Sequence, residues 1–130
     1  MANVELATAS SILAGNAGWN LPASITETFL EVDADKIVKI NTIIATNVHA
    51  ADAGKFTLYI TGMGAGAVGV TLTDEDTTIY LSKGISIPSG STLIVLDAPI
   101  YLMEGDLLKG GCSAASTVDL FISYEVLDDA

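Results

Sequence analysis

The run TTIYLSKGISIPSGSTLIVLDAPIYLMEGDLL, residues 77–108, decides the fold. Short apolar stretches alternate in it with turn residues. Ile79-Tyr80-Leu81 and Ile85-Ser86-Ile87 lead to Pro88-Ser89-Gly90, and Thr92 to Leu96 and Pro99 to Leu102 lead to Glu104-Gly105-Asp106. β-Branched and aromatic residues fill the stretches, while Gly, Pro, Ser and Asp punctuate them. Turn signals at this spacing build an antiparallel sandwich or barrel. Further on, Val118, Leu120, Ile122, Tyr124 and Val126 fall on one side of an extended chain. Asp119, Ser123 and Glu125 fall on the other, with Phe121 the apolar exception. A period of two marks a strand with one face on a core.

Working back towards the N-terminus, Val38, Ile40 and Ile44 read as one face of a strand, with Lys39 and Asn41 opposite. Phe56, Leu58 and Ile60 alternate with Thr57 and Tyr59, and residues 47–54 read as a hairpin loop joining the two strands. Pro88 and Pro99 suit turns or edges, because proline cannot donate to a ladder. No window has helical period with caps. The expectation is an all-β fold: an antiparallel, jelly-roll-like β-sandwich of about eight strands over residues 29–130. Residues 1–28 differ, being rich in Ala, Ser, Thr, Gly and Asn. They read as an extended N-terminal arm, or as a first edge strand plus loop. Trp19 and Leu21, with Phe29 just beyond, are the anchors expected at a partner interface; packing of Trp19 on its own core is the alternative.

At 130 residues the chain has the length of one domain and can bury a core without staples. Half of its residues are hydrophobic and only 16% are charged, which argues against disorder. The apolar runs are too short to span a membrane, so the hydrophobic excess points to an assembly, here a homo-oligomer. Sixteen acidic residues stand against five basic ones, for a net charge of −11, and all five are lysines. A nucleic-acid partner and an anionic membrane are both disfavoured by that balance. Cys112 is the single cysteine, expected in or near the core. Met1 to Glu5 lack the basic and apolar segments of a signal peptide, so synthesis in a cytoplasm is expected.

Reactive constellations are weak. Gly64-x-Gly66-x-x-Gly69 matches a dinucleotide fingerprint as a string, but it runs into Val70-Thr71-Leu72-Thr73, which favours strand over the helix a pyrophosphate needs. His49, the single histidine, lies in the 47–54 loop, and no Gly-x-Ser-x-Gly elbow accompanies it. One His and one Cys fall short of a zinc set. Calcium would have to use Asp33-x-Asp35, Asp74-Glu75-Asp76 or Asp128-Asp129, none of which follows an EF-hand pattern. No catalytic residue, metal or cofactor is therefore assigned.

Ile43 to Asn47, followed by the segment from Thr77 to Asp129, resembles small virion structural proteins of tailed bacteriophages. The resemblance rests on Tyr80-Leu81; on Pro88 with Gly90-Ser91-Thr92; on Ile100 and Leu102 before Glu104-Gly105-Asp106; and on Ser113-Ala114 and Ser123-Tyr124. It covers roughly the C-terminal 90 residues and omits the arm and the 62–69 glycine-rich segment.

That resemblance implies a non-enzymatic head decoration (cement) protein on the outer surface of the capsid. Its partner would be the major capsid protein, whose seams it would cross, with the arm pairing by strand addition or anchoring through Trp19. A neck, tail or head-fibre component is the alternative within the class. A virion-borne glycan- or receptor-binding module is a third, and would call for exposed aromatics on loops; the loops at 47–54 and 62–69 contain none.

Overall fold

The computed structural model describes residues 11–62, 70–73 and 75–128. Among these are nine strands and no helix: β1 (Ser11–Asn20), β2 (Glu27–Glu31), β3 (Lys36–Asn47), β4 (Gly54–Thr61), β5 (Thr78–Ile87), β6 (Thr92–Ile94), β7 (Ile100–Leu102), β8 (Leu107–Cys112) and β9 (Val118–Asp128). Sheet A has the order β1-β9-β3-β6, with β7 also on β3, and sheet B the order β2-β8-β4-β5; every pairing is antiparallel. The partners nest: β1 with β9, β2 with β8, β3 with β6 and β7, β4 with β5. The chain is one long hairpin with its tip between β4 and β5, rolled so that successive pairs alternate between the sheets. This is the jelly roll, which closes two Greek keys around one core.

The expected fold class holds, with nine strands where about eight were expected. One ladder position is filled by two three-residue pieces, β6 and β7, because Pro99 and the segment before it break the pairing. Conversely, the two apolar stretches at 79–81 and 85–87 belong to one strand, β5. Its register against β4 slips twice, and Gly84 at φ +60° takes up one of the kinks. Both expected turns are present. Asp106 N–H bonds Met103 O at 3.0 Å with Gly105 at φ +86°, and Ser91 N–H bonds Pro88 O at 3.0 Å with Gly90 at φ +74°. Positive φ at the third position is what a type II turn demands of glycine.

The core lies between the sheets. Phe56, Leu58, Leu108 and Cys112 of sheet B meet Ile40, Ile43, Ala45, Val118, Leu120 and Ile122 of sheet A, and all are essentially buried. Each large side chain among them contributes about 1.5–3 kcal/mol through burial. Ile37 and Leu127 form a small second cluster with Met103.

Three expectations change. Ile44 does not share the inward face of Val38 and Ile40. Asn41 is an extra residue between the pairs Ile40–Tyr124 and Thr42–Ser123, and this β-bulge reverses the alternation, so Ile43, Ala45 and Asn47 turn inward and Ile44 outward. The 47–54 loop is no hairpin. It carries the chain from sheet A to sheet B, since β3 and β4 do not pair. Residues 11–20 take the second of the two readings given them, an edge strand, paired with β9 over all ten positions, and residue 28 falls inside β2. Residues 1–10, like the fingerprint glycines Gly64, Gly66 and Gly69, lie outside the described residues.

The crossing loop is held by one buried side chain. Asn47 Nδ2 donates to Ile87 O (2.7 Å) and Asp52 O (2.8 Å), and its Oδ1 accepts from His49 N–H (2.8 Å). Its backbone is engaged as well, by Ser91 O and Gly90 N–H. A buried amide with its partners supplied in this way fixes a loop.

Candidate interaction surface

The candidate catalytic side chains are occupied structurally. His49 Nδ1 accepts backbone N–H groups from Ala51 (3.1 Å) and Asp52 (2.9 Å), which leaves the neutral ring its proton on Nε2, 3.8 Å from Asp52 Oδ2. Ser89 Oγ donates to His49 O, so the serine and the ring stabilise the same turn. Cys112 is buried, with its Sγ 2.9 Å from Ala114 O. The imidazole and the thiol serve separate parts of the fold.

The acidic clusters fare similarly. Asp35 N–H bonds Glu104 Oε1 at 3.3 Å, and buried Asp106 accepts Met103 N–H at 2.8 Å through Oδ2. Asp106 Oδ1 and Glu104 Oε2 find no partner among the described residues. Burial pushes the Asp106 carboxyl above the usual aspartate range; the Met103 N–H pulls it down and nearby Glu75 adds to the rise. Among the described residues no three His, Cys, Asp or Glu side chains are grouped to hold a metal ion. Asp74 and Asp129 lie outside the described residues.

The expected interface residues separate. Leu21 is 1% exposed and belongs to the core. Its N–H bonds Val118 O at 2.8 Å and its O accepts Ser116 N–H at 3.3 Å, which turns the chain inward as it leaves β1. That placement leaves Leu21 no surface to offer a partner. Trp19 and Phe29 come together, with ring centroids 5.1 Å apart at 47°, half-buried against the core. They line a cleft of about 300 Å³ at the open side of the sandwich with Leu30, Val38, Tyr124 and Val126. Glu31, Asp33 and Lys36 also border it.

The larger apolar surface is one that sequence reasoning missed. Across the outer face of sheet A, register sets Gly18, Phe121, Ile44 and Ile94 side by side on β1, β9, β3 and β6. Phe121 is 41% and Ile94 66% exposed, and Val48 is exposed just beyond. Because Gly18 has no side chain, a groove of about 490 Å³ opens beside Phe121, floored by Ile44 and Thr46 and bordered by Val48 and Asp119. The next row is polar and self-satisfied. Asn20 Nδ2 bonds Asp119 Oδ1 at 2.8 Å, and the hydroxyls of Thr46 and Thr92 are 3.0 Å apart. Phe121 was legible as an exception to its strand's alternation; Ile44 was hidden by the bulge.

Sheet B has a different outer face. Thr28, Lys109, Tyr59 and Tyr80 form one row. The tyrosine rings are 5.1 Å apart at 46°, and Lys83 Nζ lies 4.9 Å above the Tyr80 ring. Three of the five lysines, Lys55, Lys83 and Lys109, are on strands of this sheet.

No family model, no curated protein and no solved structure matches this chain.

Proposed function

We propose that the chain is a non-enzymatic structural protein of a tailed-phage virion, a head decoration protein that docks on the outer capsid surface across seams between major capsid subunits. The observation that carries this reading is the apolar row Phe121–Ile44–Ile94 on the outer face of sheet A. Fully burying such a side chain is worth about 1.5–3 kcal/mol, so completing the burial of Phe121 and Ile94, with partly buried Ile44 between them, supplies about 2–4 kcal/mol of docking energy. The turn and strand residues of the C-terminal 90 support the same reading through their resemblance to virion proteins. The net charge of −11 suits a surface turned away from packaged DNA.

The test mixes purified protein with empty heads of the phage that encodes it. Saturation at a fixed copy ratio is expected, with binding lost in Phe121→Asp and Ile94→Lys while thermal unfolding stays unchanged. A ring-shaped oligomer that ignores the head surface would instead support a neck or tail role.

A glycan-binding module has one observation in its favour, the Tyr59–Tyr80 pair with Lys83 and Lys109 on sheet B. It lies on a sheet face and not on loops. Binding to an acidic polysaccharide that is lost in Tyr80→Ala, with head binding absent, would favour that reading.

A further inference from the structure

Two antiparallel sheets have four edges, and unpaired N–H and C=O groups along an edge invite another chain unless something blunts them. Three edges here are blunted. In sheet B, β2 is five residues long, bulged between Thr28 and Leu30, and begins and ends with glutamate. At the opposite edge, β5 slips register twice and carries Lys83 beside its kink. In sheet A, β6 and β7 are three residues each, separated by Asp97 and Pro99.

The fourth edge, β1, has none of these devices. Its ten residues, Ser-Ile-Leu-Ala-Gly-Asn-Ala-Gly-Trp-Asn, pair with β9 in an unbroken register, with no bulge, proline or charge. Every other strand longer than three residues carries at least one charged side chain. Ile12 and Leu13 are 62% and 61% exposed. Among the described residues, no strand lies on the outer side of β1.

We propose that β1 is a self-association edge: two copies of this chain pair through their β1 strands, antiparallel about a two-fold axis, and join sheet A into one continuous sheet. The occupant is a second copy because charge forbids most other self-contacts and permits this one. Chains of net charge −11 repel, but β1 brings no charge to the contact. Among the described residues, the acidic side chains on the neighbouring strand are Asp119, Glu125 and Asp128 of β9, the last paired with Lys36 at 3.5 Å, and they are then separated from the second copy's β9 by three strand spacings, about 14 Å. That exceeds the Debye length of about 8–10 Å at physiological salt and falls within it at low salt. Association therefore strengthens as salt is added, the reverse of a charge-driven contact. This inference rests on the edge alone and stands whether or not the protein binds a capsid.

The experiment is sedimentation of the full chain over a range of concentration and salt, paired with amide hydrogen exchange. A dimer that grows with both variables is expected, with alternate β1 amides protected only in the dimer. Ala14→Lys and Asn16→Lys, each at an exposed position of β1, should weaken dimerisation by about tenfold or more, since two-fold pairing sets like charges close together. Ile94→Lys, on the far edge of sheet A, should leave it unchanged. A monomer at every concentration and salt overturns the proposal. So does a dimer whose β1 amides exchange as fast as the monomer's, a reading that needs no variant to fold.

Discussion

Replacing Asn47 with aspartate changes one NH₂ group for an oxygen and little else in volume, yet it should be among the most damaging single substitutions in this protein. Asn47 is 1% exposed. Its Nδ2 gives two hydrogen bonds, to Ile87 O and Asp52 O, and its Oδ1 accepts one from His49 N–H. Aspartate keeps the acceptor and loses both donors. Leaving a buried hydrogen-bonding group unsatisfied costs about 1–3 kcal/mol. Ile87 O is in the buried bond and Asp52 O in a partly buried one, so the two together give about 2–4 kcal/mol. An ionised carboxylate against two carbonyl oxygens adds to this, for a total of about 3–5 kcal/mol at pH 7, a large part of the 5–15 kcal/mol that holds a typical domain.

The pH dependence separates this account from simple misfit. Burial and the two carbonyls raise the introduced carboxyl's pKa in the folded state above its unfolded value of about 3.9. The ionisation part of the penalty is thus present above the folded pKa and relieved as pH falls towards the unfolded one. Asn47→Asp should recover relative to wild type between pH 7 and pH 4, while Asn47→Ala, with no group to titrate, should not. The assay is urea unfolding followed by fluorescence of Trp19, the single tryptophan. Loss of less than about 1 kcal/mol at pH 7 would refute the claim that Asn47 closes the crossing loop.

Three other outcomes are expected. Asp106→Asn removes a carboxyl whose pKa burial raises in the folded state. Wild type bears the cost of its ionisation at neutral pH and sheds it on acidification, so wild type should gain stability relative to the variant as pH falls from 7 to 4; a constant difference in urea midpoints over that range would contradict the raised pKa. In Gly111→Ala the added Cβ would lie 1.5 Å from Ser24 O, a backbone atom, so the segment crossing β8 must lift, at about 1–3 kcal/mol or more by thermal unfolding. Phe56→Ala, at the centre of the core with no exposed surface, should cost about 3–5 kcal/mol.

The all-β sandwich was legible because its signals are local. The turns at Pro88–Ser91 and Met103–Asp106 need only their own residues, and the two-residue period holds from Val118 to Ile122 in β9 and places Phe56, Leu58 and Ile60 in the core. What was missed depends on pairing between distant segments. The bulge at Asn41 shows only against β9, and it moves Ile44 from the core to the outer face. The 47–54 loop looks like a hairpin until β3 is seen to pair with β9, β6 and β7 while β4 takes β5 and β8. Trp19 is a reasonable anchor by residue type, but Phe29 and the inner face of β1 claim it first. The Tyr59–Tyr80 pair is separated by twenty residues of sequence and joined only by register.

A jelly roll is compatible with many functions, so the outer surfaces must carry the argument. Phe121 and Ile94 contribute little to the core, and a threonine or lysine would fit an exposed strand position as well. Ser123, two residues along β9, shows that the strand accepts polar residues on that face. Leaving large apolar groups there risks indiscriminate association, and the net charge of −11 opposes that risk over most of the surface. On the two proposals made above, charge opposes self-contact over most of the surface but not along β1, and the outer face of sheet A carries one contiguous apolar row. The proposed edge uses the backbone of β1 and the proposed face the side chains of Phe121, Ile44 and Ile94; they adjoin at Gly18, but substitutions away from it can remove one without the other. Ile94→Lys should silence the face and spare the edge, and Asn16→Lys should do the opposite. If both substitutions abolished both activities, a single shared surface would replace the two argued for.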